Sequence, residues 1–113
     1  MIEAASDMLL MPSRYEPCGL NQMFSLKYGT LPIVRRTGGL ADTVEPVDGD
    51  RGTGFVFEHF TADALRWALG SAIQIYRHRE RWKRLMLNAM SRDFSWSRQA
   101  KLYVQLYERL IGA

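Results

Sequence analysis

Met8-Leu9-Leu10-Met11-Pro12, Ser13-Arg14-Tyr15-Glu16-Pro17-Cys18-Gly19, Leu20-Asn21-Gln22-Met23-Phe24-Ser25-Leu26-Lys27-Tyr28 and Gly29-Thr30-Leu31-Pro32-Ile33-Val34 follow one another without a break, and they read as strand, loop, short helix and second strand. The first apolar run, closed by Pro12, lacks alternation and suits a strand buried on both faces of a parallel sheet. Helical spacing resumes after Gly19. It places Leu20, Met23, Phe24 and the stem of Lys27 on one side, and Gly29 stands where a helix ends on a left-handed residue. The unit is a βαβ crossover, for which the right-handed form is expected. Open α/β sheets bind ligands at the carboxyl ends of their strands, so the loop from Ser13 to Gly19 is the expected site.

Outward from this unit, residues 1–6 read as the last turn of a helix leading into the first strand. After Val34, the segment from Arg35 to Val44 begins at the carboxyl end of the second strand and turns on Gly38-Gly39. Glu45 to Thr53, with Pro46, Gly49 and Gly52, reads as an exposed loop, and Gly54-Phe55-Val56-Phe57 as a third strand. Thr61 is a suitable N-cap with Asp63 in the first turn. Leu65, Ala68, Leu69, Ala72, Ile73 and Tyr76 then mark one helical face, and Trp82, Leu85, Met86, Ala89 and Met90 a second. Trp96, Ala100, Tyr103, Tyr107 and Leu110 mark a third helix, capped by Ser95 and stopped near Gly112.

A chain of 113 residues with 47% hydrophobic content has room for one modest domain. Three strands are few for a doubly wound sheet, so the chain reads as part of a larger domain. No stretch reaches the roughly 20 apolar residues of a membrane span, and no basic-then-apolar leader opens it, so a soluble, unexported protein is expected. The single cysteine, Cys18, excludes an internal disulfide and a multi-cysteine metal site. The net charge of +3 permits an anionic ligand without pointing to nucleic acid. In the basic run from Arg77 to Arg84, Trp82 is in phase with the core stripe and Glu80 interrupts the charge, which favours a solvated helix junction over a polyanion patch. His59 and His78 lack partners at metal-ligand spacing, and neither a metal nor a cofactor is expected.

The chemistry concentrates in the first loop. A helix start at Gly19-Leu20 offers backbone N–H groups to a phosphate, with Arg14, Arg35 and Arg36 as further candidates for charge. Glu16 is an acceptor suited to vicinal sugar hydroxyls, or else a solvated loop acid. Gly38-Gly39 either lets a ligand approach backbone N–H groups or is a tight turn with nothing bound. Cys18 has no nearby histidine in sequence to activate its thiol, which favours packing over nucleophilic chemistry.

Residues 12–22, Tyr28-Gly29-Thr30 and the run from Arg35 to Val44 resemble the bacterial glycogen synthase and plant starch synthase family, and the resemblance extends through Gly54-Phe55-Val56-Phe57 and Phe94-Ser95-Trp96 to the last helix. It implies a retaining glucosyltransferase of the two-domain GT-B fold, with an α/β class and a partial Rossmann-like parallel sheet. Residues 1–60 would then be the βαβ-type donor-binding part of the second Rossmann-like domain, and residues 61–113 the C-terminal helices of that domain. The implied reaction moves glucose from ADP-glucose to the non-reducing end of an α-1,4-glucan. Implied site residues are Glu16, catalytic and facing the donor sugar, together with Cys18, Gly19, Leu20, Asn21, Thr37, Gly38 and Gly39. Asn21 stands where the family usually has threonine. Phe24 stands where wider GT-B enzymes often carry a second glutamate. Arg36-Thr37-Gly38-Gly39-Leu40 looks like the Lys-Thr-Gly-Gly-Leu motif of the family's first domain, but that motif itself is absent.

On this reading the partners are ADP-glucose, the glucan and a missing N-terminal part of the same enzyme, with no nucleic acid and no membrane. The location is the cytoplasm, or a plastid for a plant protein. The piece is expected to be inactive alone, and its exposed last helix invites self-association. Two other readings stand beside it: a stand-alone nucleotide- or phosphate-binding module, and a structural or oligomerisation fragment.

Overall fold

The computed structural model describes residues 2–16 and 19–112. A short helix, α1 (Ile2–Ala5), leads into β1 (Met8–Met11). Then follow α2 (Asn21–Lys27), β2 (Leu31–Arg35), α3 (Gly38–Thr43), β3 (Phe55–Phe57), α4 (Ala62–Tyr76), α5 (Arg79–Met90) and α6 (Trp96–Gly112). The three strands form one parallel sheet in the order β1-β2-β3, with Met8 opposite Leu31, Met11 opposite Val34, and Ile33 and Arg35 opposite Phe55 and Phe57.

The central strand is the one the apolar pattern describes best. Leu31, Pro32, Ile33 and Val34 are all buried. Leu31 and Ile33 join Leu26, Phe55 and Phe57 against Ala68, Ala72 and Ile75 of α4 and Trp82, Leu85 and Ala89 of α5. Val34 faces the opposite way into a smaller cluster with Leu40 and Val44. A proline inside a central strand is ordinarily a conflict, because it cannot donate to the ladder. The register removes the conflict here. Leu31 donates to the carbonyl of Asp7 on the β1 side, so strand alternation turns the nitrogen of Pro32 toward β3, and β3 pairs only from Ile33 onward.

Two expectations about buried faces change. β1 pairs in parallel but is only half buried, with Leu10 exposed, because it lies at the sheet edge among the described residues. In α2 the residues turned inward are Gln22, Ser25 and Leu26, while Leu20 and Phe24 are exposed. The sheet meets α2 through Leu26, and Gln22 and Ser25 are accommodated because both side chains hydrogen-bond to nearby groups. Gly29 follows α2 with φ +77°, a conformation that strongly favours glycine.

Helix α4 is capped as its sequence suggests, Thr61 Oγ1 accepting from the Ala64 N–H at 3.1 Å. Ile75, not Ile73, carries its apolar face inward. Around Trp82 the rings interlock, with Phe55 stacked at 6.0 Å and Tyr76 edge-on at 5.0 Å between centroids. The basic run has a structural use. Arg81 Nε donates to the Gly49 carbonyl at 3.0 Å, Arg84 pairs with Asp50 at 3.2 Å, and Asn88 donates to the carbonyls of Asp50 and Gly52. Helix α5 thus holds the loop before β3 in place. Helix α6, by contrast, buries none of its residues, and Trp96, Tyr103, Tyr107, Leu110 and Ile111 are all more than half exposed. No helix among the described residues is long and apolar enough to cross a membrane.

Candidate functional site

The parallel arrangement brings the segments after β1, β2 and β3 to one end of the sheet. Glu16 lies in the first of them and is half buried. Its carbonyl accepts the N–H of Gly39 at 2.9 Å, which ties the loop after β1 to the start of α3 after β2. Its carboxylate has one long contact, from Ser13 Oγ to Oε2 at 3.5 Å, so among the described residues most of its acceptor capacity is uncommitted. The backbone therefore fixes where Glu16 stands, and the carboxylate is left for other work.

Gly19 adopts φ +70°, and a Cβ there would lie 2.5 Å from the Gln22 side-chain oxygen. The positive φ favours glycine, and a Cβ there would also displace the Gln22 carboxamide. Leu20 precedes α2 and makes no side-chain cap, and Asn21, the first residue of α2, is exposed. Thr37 is the extended residue before α3; its carbonyl accepts from Leu40 at 3.0 Å, and its side chain makes no cap bond. Gly38 has φ +48° and is exposed, whereas Gly39 is buried with its N–H committed to Glu16. Glu16 and Gly39 are thus brought together directly, with Thr37 and Gly38 adjoining in the chain. Cys18 lies outside the described residues.

The three arginines separate. Arg35 donates from Nη1 to the Arg14 carbonyl, and both guanidinium groups lie over the ring of Phe60, at 4.9 Å for Arg14 and 5.6 Å for Arg35. Arg36 turns away into an exposed pair with Glu58 at 3.3 Å. Phe60, just past β3, escaped the sequence reading; its only signal was an aromatic residue after a strand's carboxyl end. It also lines an apolar hollow of about 280 Å³ with Pro12, Phe57, Thr61, Ala62 and Leu65, which does not include Glu16. Among the described residues no three His, Cys, Asp or Glu side chains gather closely enough to hold a metal ion.

Among the described residues two titrations are displaced, neither of them in the segments that directly follow β1 and β2. Hydrogen bonding from the Ser95 side chain, then from its backbone N–H, lowers Asp93 below the ordinary carboxylate range. The hydrogen bond from Tyr76 to Asp7, at 3.0 Å, raises the Tyr76 phenol.

The family model for glycosyl transferases group 1 matches residues 1–85. Glycogen synthase of Rhodospirillum rubrum is 52% identical over 113 residues, covering 99% of this chain and 23% of that protein. Glycogen synthase of Koribacter versatilis is 54% identical over 110 residues, covering 96% of this chain and 23% of that protein. Among solved structures, the catalytic domain of starch synthase IV from Arabidopsis thaliana, bound to ADP and acarbose, superposes with a TM-score of 0.84 at 40% identity, over 99% of this chain and 24% of that one. The chain therefore spans about a quarter of the length of the relatives it matches. The parallel sheet, the helices that flank it and the match over most of the sequence lead to one conclusion: this chain belongs to the group 1 glycosyltransferase family.

Proposed function

We propose that the chain is the C-terminal quarter of an ADP-glucose-dependent glycogen synthase and carries one wall of its donor site. The supporting observation is identity above 50% to glycogen synthases over a match that spans nearly the whole chain. The ADP held by the starch synthase relative favours an adenosine donor over a uridine one. The missing partner is the remainder of the same polypeptide, which supplies the opposite wall and the acceptor groups.

In this reading the Glu16 carboxylate accepts hydrogen bonds from hydroxyls of the donor glucose. The backbone at Gly19 and Leu20, with Asn21 beside it, faces the sugar and its diphosphate. Thr37 and Gly38 complete the wall, and Gly39 contributes through its hold on Glu16. The glucan hydroxyl attacks on the face from which the diphosphate leaves, so configuration is retained. The task of this wall is alignment and charge stabilisation.

The test is steady-state kinetics of the full-length enzyme and its Glu16→Gln variant, with ADP-glucose and glycogen as substrates. The variant keeps volume and one acceptor but loses the charge. Hydrogen bonds that tighten as positive charge develops at the anomeric carbon affect kcat as well as kcat/KM. A charge-assisted hydrogen bond lost in a desolvated site corresponds to roughly 2–4 kcal/mol, or about 30- to 1,000-fold in rate. Unchanged kcat and kcat/KM in a folded variant would remove Glu16 from the site, and a wild-type enzyme without glucose transfer would remove the function.

A further inference from the structure

Gln22 is fully buried in the first turn of a helix whose exposed positions include two large apolar residues, Leu20 just before it and Phe24. A buried carboxamide is retained only where its donors are satisfied. The side-chain nitrogen of Gln22 donates to the Gly19 carbonyl at 2.8 Å and to Thr43 Oγ1 at 3.2 Å. Thr43 Oγ1 donates in turn to the Gly39 carbonyl at 2.7 Å. The directions are fixed by chemistry, since an amide nitrogen only donates, a carbonyl only accepts, and the hydroxyl between them does both. Gly39 then returns its N–H to the Glu16 carbonyl at 2.9 Å. The bonds close a ring that runs from Glu16 along the chain to Gly19, across Gln22 and Thr43 to Gly39, and back to Glu16.

We propose that Gln22 and Thr43 are positioning residues that set the Glu16 loop and the Gly19 backbone against the Gly38-Gly39 turn. The inference rests on the reading of Glu16 and Gly19 as donor-sugar contacts. In this role both act through Glu16 and Gly19. Gln22 is a second tie between the segments after β1 and β2, beside the bond from Gly39 to Glu16, and Thr43 extends it along α3 to the residue that grips Glu16. The carboxamide also accounts for Gly19, because its oxygen fills the space a Cβ would take.

The experiment is a double-mutant cycle in the full-length enzyme, with ADP-glucose and glycogen as substrates and melting temperatures measured alongside. Thr43→Val preserves shape and breaks the relay; Thr43→Ser keeps the hydroxyl. Thr43→Val is expected to lower kcat/KM for ADP-glucose about tenfold, with KM for glycogen unchanged and Thr43→Ser near wild type. In a Glu16→Gln background the same change has a smaller further effect, because one of the two groups it aligns is already lost and only the Gly19 backbone remains. Gln22→Met, which removes both donor bonds at similar volume, reproduces the pattern if Thr43→Val fails to fold.

Wild-type kinetics in a folded Thr43→Val enzyme overturn the inference while leaving Glu16 in the site. Equal losses with and without Glu16, or no rescue by serine, overturn it as well by reducing the relay to general packing. Wild-type kinetics in Glu16→Gln overturn the donor-site reading itself, and the positioning role with it.

Discussion

Glu16 is held by its own carbonyl, and that separation of duties decides how its loop behaves. A main-chain grip from Gly39 costs the carboxylate nothing, so a change of charge at position 16 is expected to alter chemistry while the fold stands. Asp93 shows the opposite case, a carboxylate used for structure. Its Oδ1 accepts the Ser95 N–H at 2.9 Å just before α6, and its carbonyl accepts Arg98 Nη1 at 3.0 Å. Because its pKa is lowered in the folded chain, this contribution is complete above the ordinary aspartate value of about 3.9 and is lost as pH falls through the lower folded-state value. Acidification below about pH 4 should therefore fray the start of α6 in the wild type more steeply than in Asp93→Asn, which does not titrate. Amide exchange at residues 95–99 as a function of pH reads this directly, and identical profiles would dismiss the cap.

Among elements, α5 has two structural tasks. One face places Trp82, Leu85 and Ala89 on the sheet, and the other holds the loop before β3 through Arg81, Arg84 and Asn88. Trp82 lies between the Phe55 and Tyr76 rings, although its indole N–H finds no partner among the described residues. The packing outweighs that single unmet donor, since truncating a buried tryptophan costs about 3–5 kcal/mol, against about 1–3 kcal/mol for one unsatisfied group. Trp82→Ala is expected to lower stability by that larger amount in denaturant unfolding. A loss below about 1 kcal/mol would show that the ring cluster is not the centre of the core. Arg84→Ala, which breaks an exposed pair, should cost less than about 1 kcal/mol.

At the scale of the whole molecule, a folded core stands beside a helix that buries nothing. Leu110 is 70% and Ile111 86% exposed at the end of α6, an unusual amount of apolar surface for a free helix. The isolated 13.0 kDa chain is expected to self-associate, and sedimentation over a range of concentrations would detect it. A single 13.0 kDa species throughout would contradict the expectation. On the proposed function the same chain should not elongate glycogen, because one wall of a cleft cannot align donor and acceptor. Glucose incorporation above a no-protein control would overturn that.

What the amino-acid sequence determined by itself was local and periodic. The unbroken apolar run at 31–34 marked a strand buried on both faces, Thr61 marked a helix start, and Gly29 marked a left-handed end; each signal depends on a few neighbouring residues. The Glu16 loop stood out as a candidate site for a related reason, because its polar groups are crowded into a few consecutive positions after a strand. Contacts between distant segments were decided only by the tertiary structure. Spacing on α2 pointed to Leu20 and Phe24 as its buried face, yet the fold turned Gln22 inward, because its partner Thr43 reaches it only when α3 packs beside α2. The helix at Gly38–Thr43 was likewise missed, since two leading glycines are poor helix formers and its stability comes from burying Leu40 with Val34 and Val44. Three arginines looked alike in sequence, and the strand ends sorted them, Arg14 and Arg35 onto Phe60 and Arg36 onto Glu58. A side chain's neighbours across the sheet are set by register and crossover, which no short stretch of sequence contains.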